Sequence, residues 1–372
     1  MTETKKGKFE YTVFTCVLFL CAFGLIVLYS ASSVSSLRIY DSSIYLFVRQ
    51  AVFCGVGLLI ALLFSFIPYK VYMKFSRYIY VACLVLVVVT AFAGRISRGS
   101  SRWIMLRGII FQPSELMKLA MIIYLPKVLT EIKGDFDNKD NFLRVLFVSY
   151  VPTFIVALSN LSTGIILFII ATSLIFVVSK KKLIFIFILT LICLFYVFAY
   201  PMAKSLSVAG LLKTYQAGRI FAWKAPESYP DIAYQTLQGI YAIGSGRISG
   251  RGYLNSIQKA IIPEAQNDMI FTILCEELGI VGAALFFVLY IVLIYRIIFI
   301  SSRQKNMTSL LLSFGIAIHI ALQIILNIGV VTNLLPNTGV TLPFVSYGGS
   351  SLIVLFIEIG IIMSISRYER VY

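Results

Sequence analysis

Charge is what this chain has least of. Asp, Glu, Lys and Arg make up 13% of its 372 residues, against about 25% in soluble domains, which excludes an ordinary water-soluble fold. Histidine occurs once and tryptophan twice. Cys16, Cys21, Cys54, Cys83, Cys193 and Cys275 form no CxxC and no His/Cys cluster with metal-ligand spacing. They read as small lipid-facing or core residues, with no disulfide scaffold or zinc site among them. Acid is scarcer than base, 16 residues against 32, for a net charge of +16. Most basic residues stand in short stretches beside apolar runs, so membrane insertion and anionic lipid account for the excess, and no nucleic-acid partner follows. Neither an internal repeat nor a low-complexity tract is visible.

What the chain has is hydrophobic residues, 59% of the total with a mean hydropathy of +0.93. Apolar runs of roughly 17 to 25 residues, each long enough to cross about 30 Å of hydrocarbon as helix, recur throughout. The expected fold is an all-α polytopic integral membrane protein, with residues 1–372 forming a single transmembrane domain. About ten spans are expected, at 11–31, 45–67, 78–94, 113–130, 143–159, 161–179, 183–203, 270–300, 308–332 and 349–366. Lys5, Lys6 and Lys8 precede the first run, which is long for a signal-peptide core and reads as an uncleaved span. If the spans alternate, the short basic loops fall on one side, including Tyr69–Arg77, Lys180–Lys182, Arg303 with Lys305, and Arg367 with Arg370. The positive-inside rule makes that side the cytoplasm and places both termini there. Ser159 and Asn160 leave almost no loop between two spans, so this pair also reads as one re-entrant feature, which would invert everything downstream.

Two segments then lie outside. RISRGSSRWIMLRG, Arg95–Gly108, carries Arg95, Arg98, Arg102 and Arg107 without an acid. Guanidinium forks match phosphate oxygens in paired hydrogen bonds, so the cluster suits a pyrophosphate; snorkelling to lipid headgroups is the plainer alternative. The second segment, about 204–268, is the one loop much longer than a turn, and its spread of aliphatic and aromatic residues suggests an ordered, partly interfacial cap.

Four stretches carry candidate chemistry. In QPSELMK, Pro113 and Ser114 open a helix whose Glu115 and Lys118 share a face, as a functional pair or as a helix-start carboxylate with its lysine. Glycines 244, 246, 250 and 252 stand beside Arg247 and Arg251, a weak phosphate-loop signal. PEAQND brings Glu264, Asn267 and Asp268 to the mouth of a span, where Asp268 suits proton abstraction or, more plainly, an N-cap. Finally, Asn327–Ile353 breaks helical periodicity with Pro336, Gly339, Pro343, Gly348 and Gly349, as the wall of a site does. His319 sits in mid-span and reads as an interhelical hydrogen-bonder.

In order and spacing, GSSRWI with QPSELMK, then YQ, AIGSGR, PEAQNDMIF and EELG, and finally NIG with LLPNTGVTLPFVSYGGSS, resemble the SEDS family of shape, elongation, division and sporulation proteins. The motifs run from about residue 95 to 351, and their SIQK and PEAQNDMIF wording leans to the FtsW and SpoVE branch over RodA. The resemblance implies a ten-span peptidoglycan glycosyltransferase of the bacterial cytoplasmic membrane. It would polymerise lipid II at an extracytoplasmic site and work with a class B penicillin-binding protein and other division, elongation or sporulation proteins. Asp268 falls on the family's catalytic aspartate, Glu115 and Lys118 on its essential-looking pair, and Arg102 on the arginine before its tryptophan. Arg98, Arg247, Glu264, Asn267, Ser346 and Ser350 are the further substrate-binding candidates. No organic cofactor is expected and no metal ligand is assigned; a divalent cation, Mg or Mn, is an option beside the basic residues for the departing pyrophosphate. One departure is Ser159-Asn160-Leu161-Ser162-Thr163, where many relatives have Pro-Asp-Leu-Gly-Thr; Asn160 keeps the shape and loses the charge.

Two rival classes remain at this level, a lipid II flippase and a non-enzymatic scaffold for the transpeptidase. Transport predicts a polar path near mid-bilayer, whereas the charges are expected to gather at the outer mouth. A scaffold leaves the acidic and basic site residues without a role.

Overall fold

The computed structural model describes residues 10–93, 95–97, 100–106, 109–180, 182–208 and 214–368. Its helices are α1 (Tyr11–Tyr40), α2 (Tyr45–Phe66), α3 (Tyr69–Ala93), α4 (Pro113–Glu131), α5 (Lys139–Ser159), α6 (Leu161–Val178), α7 (Leu183–Val208), α8 (Thr214–Lys224), α9 (Pro230–Gly246), α10 (Ile270–Ser302), α11 (Met307–Val331) and α12 (Gly349–Tyr368). Each of the ten expected spans falls on one of them, leaving α8 and α9 for the long 204–268 segment. Among the described residues, eight helices are long and apolar enough to cross a membrane. Their exposed faces carry residues such as Leu59, Leu63, Val85, Phe154 and Ile291, as lipid-facing helices must when hydrocarbon offers no partner for a polar group. The chain is a multi-pass membrane protein.

α4 departs from the apolar pattern because it is interior. Pro113 at its first turn forgoes a donor the helix start does not use, and nearly every side chain from Pro113 to Leu129 is buried against α3, α5, α6, α11 and α12. With neighbours in place of lipid, it can carry Glu115 and Lys118. Among the described residues the β structure is an antiparallel ribbon of β1 (Arg95–Ser97), β2 (Ser100–Leu106) and β3 (Ile109–Phe111), in the segment expected as an arginine-rich loop.

The re-entrant alternative at Ser159 and Asn160 gives way to a tight helical hairpin. Asn160 leaves the helical region at φ −148° and its side chain accepts from Thr163 N at 3.4 Å, capping α6. Beyond the turn, Gly164 lies against Ala157 and Tyr150 bonds Thr172 at 3.2 Å, so α5 and α6 run antiparallel. At one end of the bundle, Glu10 accepts from Arg296 at 2.8 Å and from the Ser366 hydroxyl at 3.3 Å, joining the start of α1 to the ends of α10 and α12.

The described part of the 204–268 segment wraps around a break in α10. α9 runs beside the first turns of α10, with Gly239 against Met269 and Thr272, and Gly246 against Cys275 and Glu276. The chain turns at 247–252, and its return climbs α1, from Tyr253 on Ile26 to Gln266 on Ser35. Gly279 (φ 63°) interrupts α10, and the turn supplies what the interruption removes. Arg251 N and Gly252 N donate to the Glu276 and Glu277 carbonyls at 2.9 and 3.0 Å, and Ile280 N and Val281 N donate to the Arg247 and Ile248 carbonyls at 3.0 and 3.2 Å. Two carbonyls before the break and two amides after it are thereby satisfied. The space around Gly246 and Gly250 is filled by α10 backbone. In place of the expected phosphate cradle, these glycines admit one backbone against another.

Candidate active site

Asp268 stands two residues before α10, and the helix begins from Met269 with no side-chain cap. The N-cap reading is therefore corrected: Met269, one residue further on, occupies the N-cap position. Asp268 is half-buried, and Oδ1 accepts from Gln235 Nε2 at 3.4 Å. Its backbone is fastened from α11, where the buried Asn327 amide donates at 2.8 Å both to Asp268 O and to Val340 O. Gln235 also donates to Pro263 O at 3.2 Å and accepts from Asn337 Nδ2 at 3.0 Å. Residues of α9, α11 and the 333–345 segment thus meet around one carboxylate.

The broken stretch between α11 and α12 forms one wall. Gly339 (φ 69°) faces Asp268 Oδ2, Thr338 O accepts from Ser162 on α6 at 2.8 Å, and Asn333 exchanges bonds with Trp223 on α8 at 3.1 and 3.3 Å. Glu264 and Asn267 share the Asp268 turn, linked by Asn267 Nδ2 to Glu264 Oε2 at 3.0 Å. Ser346 is buried, and its hydroxyl accepts from Leu342 N at 2.8 Å inside its own turn; Ser350 lies in the first turn of α12.

Glu115 and Lys118 are brought together at 2.9 Å, and Lys118 is 1% exposed. This pair is at the start of α4, at the same end of the bundle as Asp268. Arg247 is not gathered there: its carbonyl accepts from Ile280 N, roughly 15 Å further along α10 at the α-helical rise. Arg102 lies on β2, and Arg98 is outside the described residues.

The interior corrects the expectation that charge gathers at the outer mouth. Besides Glu115 and Lys118, Glu276, Glu277, His319 and Glu358 are buried. His319 Nδ1 lies 2.8 and 3.0 Å from the Glu358 oxygens and its Nε2 lies 3.1 Å from Gln323 Nε2, an interhelical bond between α11 and α12. Gln235, Asn327, Asn337 and Glu358 were not singled out from the sequence. A lone amide or acid inside an apolar run, as at Asn327 and Glu358, is the signal that marks such positions.

A multi-pass bundle whose broken helices gather a half-buried carboxylate and an amide network at one end defines a membrane protein with a polar site at that end of the bundle. The chain belongs to the FtsW, RodA and SpoVE family: the family model described as "Cell cycle protein" matches residues 11–371. Among curated relatives, it is 34% identical to stage V sporulation protein E of Bacillus subtilis, over 99% of both chains. It is 33% identical to the probable peptidoglycan glycosyltransferase FtsW of Coxiella burnetii, over 99% of this chain and 98% of that one. Against peptidoglycan glycosyltransferase MrdB of Escherichia coli K12, identity is 32% over 98% and 95%. In fold it resembles a chain of a solved peptidoglycan synthase complex, described as coordinating polymerization and crosslinking, with TM-score 0.79, 24% identity and coverage of 96% and 97%. RodA of Thermus thermophilus superposes with TM-score 0.68 at 23% identity over 97% and 98%.

Proposed function

We propose that this protein is a peptidoglycan glycosyltransferase that builds glycan strands from lipid II on the outer face of the bacterial cytoplasmic membrane. The observation that carries the reading is Asp268: a half-buried carboxylate just before a helix start, its backbone carbonyl fastened by Asn327 and its Oδ1 by Gln235. It takes the proton of the acceptor 4-hydroxyl as that oxygen attacks the anomeric carbon of the donor. The bond to undecaprenyl pyrophosphate breaks, and the new β-1,4 linkage has inverted configuration. Arg98 and Arg102 are proposed for the pyrophosphate, and Glu115, Lys118, Glu264, Asn267, Ser346 and Ser350 for the remaining substrate contacts or their support; Arg247, which the fold sets apart from Asp268, is not among them. Among the described residues no three His, Cys, Asp or Glu side chains cluster as a metal site. Were a Mg or Mn ion used, Glu264 and Asp268, which share a turn, would be the carboxylates to hold it, and it would neutralise charge on the departing pyrophosphate.

A lipid-linked donor accounts for an interfacial site, since the prenyl chain stays in hydrocarbon while sugars and pyrophosphate meet water. The end carrying Lys70, Lys74, Arg77, Lys180, Lys182, Arg303, Lys305 and Arg367 is taken as cytoplasmic, which puts both termini inside and Asp268 outside. A cysteine at Ser228 then reacts with an impermeant maleimide in intact cells; protection there until permeabilisation reverses the orientation. The partner is a class B penicillin-binding protein, a reading supported by the synthase complex the fold resembles.

The test is polymerisation of lipid II by purified protein, with and without the transpeptidase. Wild type is expected to form glycan strands and Asp268→Asn to lose about 10²–10⁴-fold, as removal of a general base does. Asp268→Asn within a few-fold of wild type refutes the base. The transporter reading gains one observation, the buried His319–Glu358 pair, and predicts lipid II translocation in vesicles with no polymer formed. A scaffold predicts neither.

A further inference from the structure

Two consecutive carboxylates, Glu276 and Glu277, precede the break in α10, and each is 1% exposed. The proposed reaction gives neither a part. Glu276 faces the returning outer segment and gathers three donors from it: the Ser256 hydroxyl, Ile257 N at 3.1 Å and Gln258 N at 3.2 Å. Glu277 turns toward α1. It accepts from the Ser30 hydroxyl and from Ser256 N at 3.3 Å, and Lys259 Nζ stands 3.9 Å away. Lys259 closes the group by donating to Ser30 Oγ at 3.3 Å and to Leu254 O at 2.6 Å. Next to it, Tyr253 donates to Ile26 O at 3.0 Å; burial and the Glu277 charge hold its phenol above the ordinary range, so it remains a donor.

Fastening a loop does not require this. Apolar packing would hold the segment without removing two carboxylates from water, and a buried ion pair is often no more stable than an apolar substitute. Buried charges do give geometry, because their partners must sit at fixed distances and angles. What is fixed here is the foot of the strand of chain that carries PEAQND. From Ser256 and Lys259 it climbs α1 to Gln266, which accepts from Ser35 at 3.2 Å and whose carbonyl accepts from Tyr347 N at 2.9 Å; Asp268 is two residues on. Glu276 and Glu277 lie on the same helix that Asp268 leads into, so the segment leaves α10's neighbourhood and returns to it as a closed loop.

We propose that Glu277, acting through Lys259 and Ser30, is a positioning residue for Asp268, with Glu276 holding the same loop from its other side. The proposal rests on Asp268 being the catalytic base. Misplacement of a reacting group by about 1 Å can cost 10²-fold in rate, and such a loss falls on the chemical step, not on capture of the lipid.

The experiment compares Glu277→Gln, Lys259→Met and the double variant in full-length protein, reading kcat and KM for lipid II and thermal unfolding. Positioning predicts that kcat drops about 10- to 100-fold, that KM stays within about threefold, and that the double variant is no worse than Glu277→Gln, because both act through one contact. Ser30→Ala, a milder change at the same contact, is expected to lower kcat in the same sense and serves if Glu277→Gln does not fold. Wild-type kcat in Glu277→Gln, or in Ser30→Ala where that variant stands in for it, overturns the proposal. So does a loss that vanishes when rates are normalised to folded protein. Asp268→Asn runs alongside: full activity there strikes the base assignment, whereas its inactivity beside an unimpaired Glu277→Gln strikes the positioning role alone.

Discussion

Replacing Gly250 by alanine tests whether the glycine-rich turn braces α10 or binds phosphate. Gly250 sits at φ 78°, a conformation that costs an L-residue about 1–2 kcal/mol. An added Cβ would also lie 2.6 Å from Leu278 N and closer still to the Glu277 carbonyl, so the turn must withdraw. Withdrawal breaks the bonds from Arg251 N and Gly252 N to the Glu276 and Glu277 carbonyls, each worth about 1 kcal/mol. The sum is about 3–4 kcal/mol, enough to lower the Tm of purified protein by several degrees. Hydrogen exchange should quicken at residues 251, 252, 280 and 281, whose amides carry the brace. Gly244 is the internal control. It lies in α9 with nothing within 4 Å of an added Cβ, so Gly244→Ala should leave the Tm unchanged or raise it slightly. An unaltered Tm in Gly250→Ala, together with a raised KM for lipid II, would refute the brace and restore the phosphate-loop reading.

Lys118→Met strands the Glu115 carboxylate in the bundle interior and should destabilise by about 3–5 kcal/mol; pairing it with Glu115→Gln should recover much of that in thermal melts, and no recovery would mean the two do not act as a pair. Asn327→Leu removes both bonds that tie α11 to Asp268 O and Val340 O, and should cut polymerisation more than it lowers Tm; an equal Tm loss with normal activity per folded molecule would assign Asn327 to stability alone. Asn160→Asp keeps an N-cap acceptor, so stability should change by less than about 0.5 kcal/mol, and a large change would show that the α5–α6 turn cannot take a charge. Arg102→Lys retains charge and loses the fork, so normal polymerisation by this variant would count against a pyrophosphate contact.

The placement of the apolar helices was legible in the sequence because hydrocarbon leaves a chain few options. Every crossing must be a helix that satisfies its own backbone, about 20 residues long and apolar, and the runs at α1, α2, α6, α10 and α11 display that directly. Asp268 was legible for a related reason: an acid at the edge of an apolar run stands out. Pairing over long separations was not legible. Nothing local to Glu277 announces that its partners are Ser30 and Lys259, or local to His319 that it meets Glu358, and the interior charges therefore looked fewer than they are. The glycines of 244–252 carried the same ambiguity, since a phosphate oxygen and a backbone carbonyl both need a neighbour without a Cβ. Only the tertiary structure decides between them, by bringing the broken turn of α10 to Gly250 and filling the space with protein.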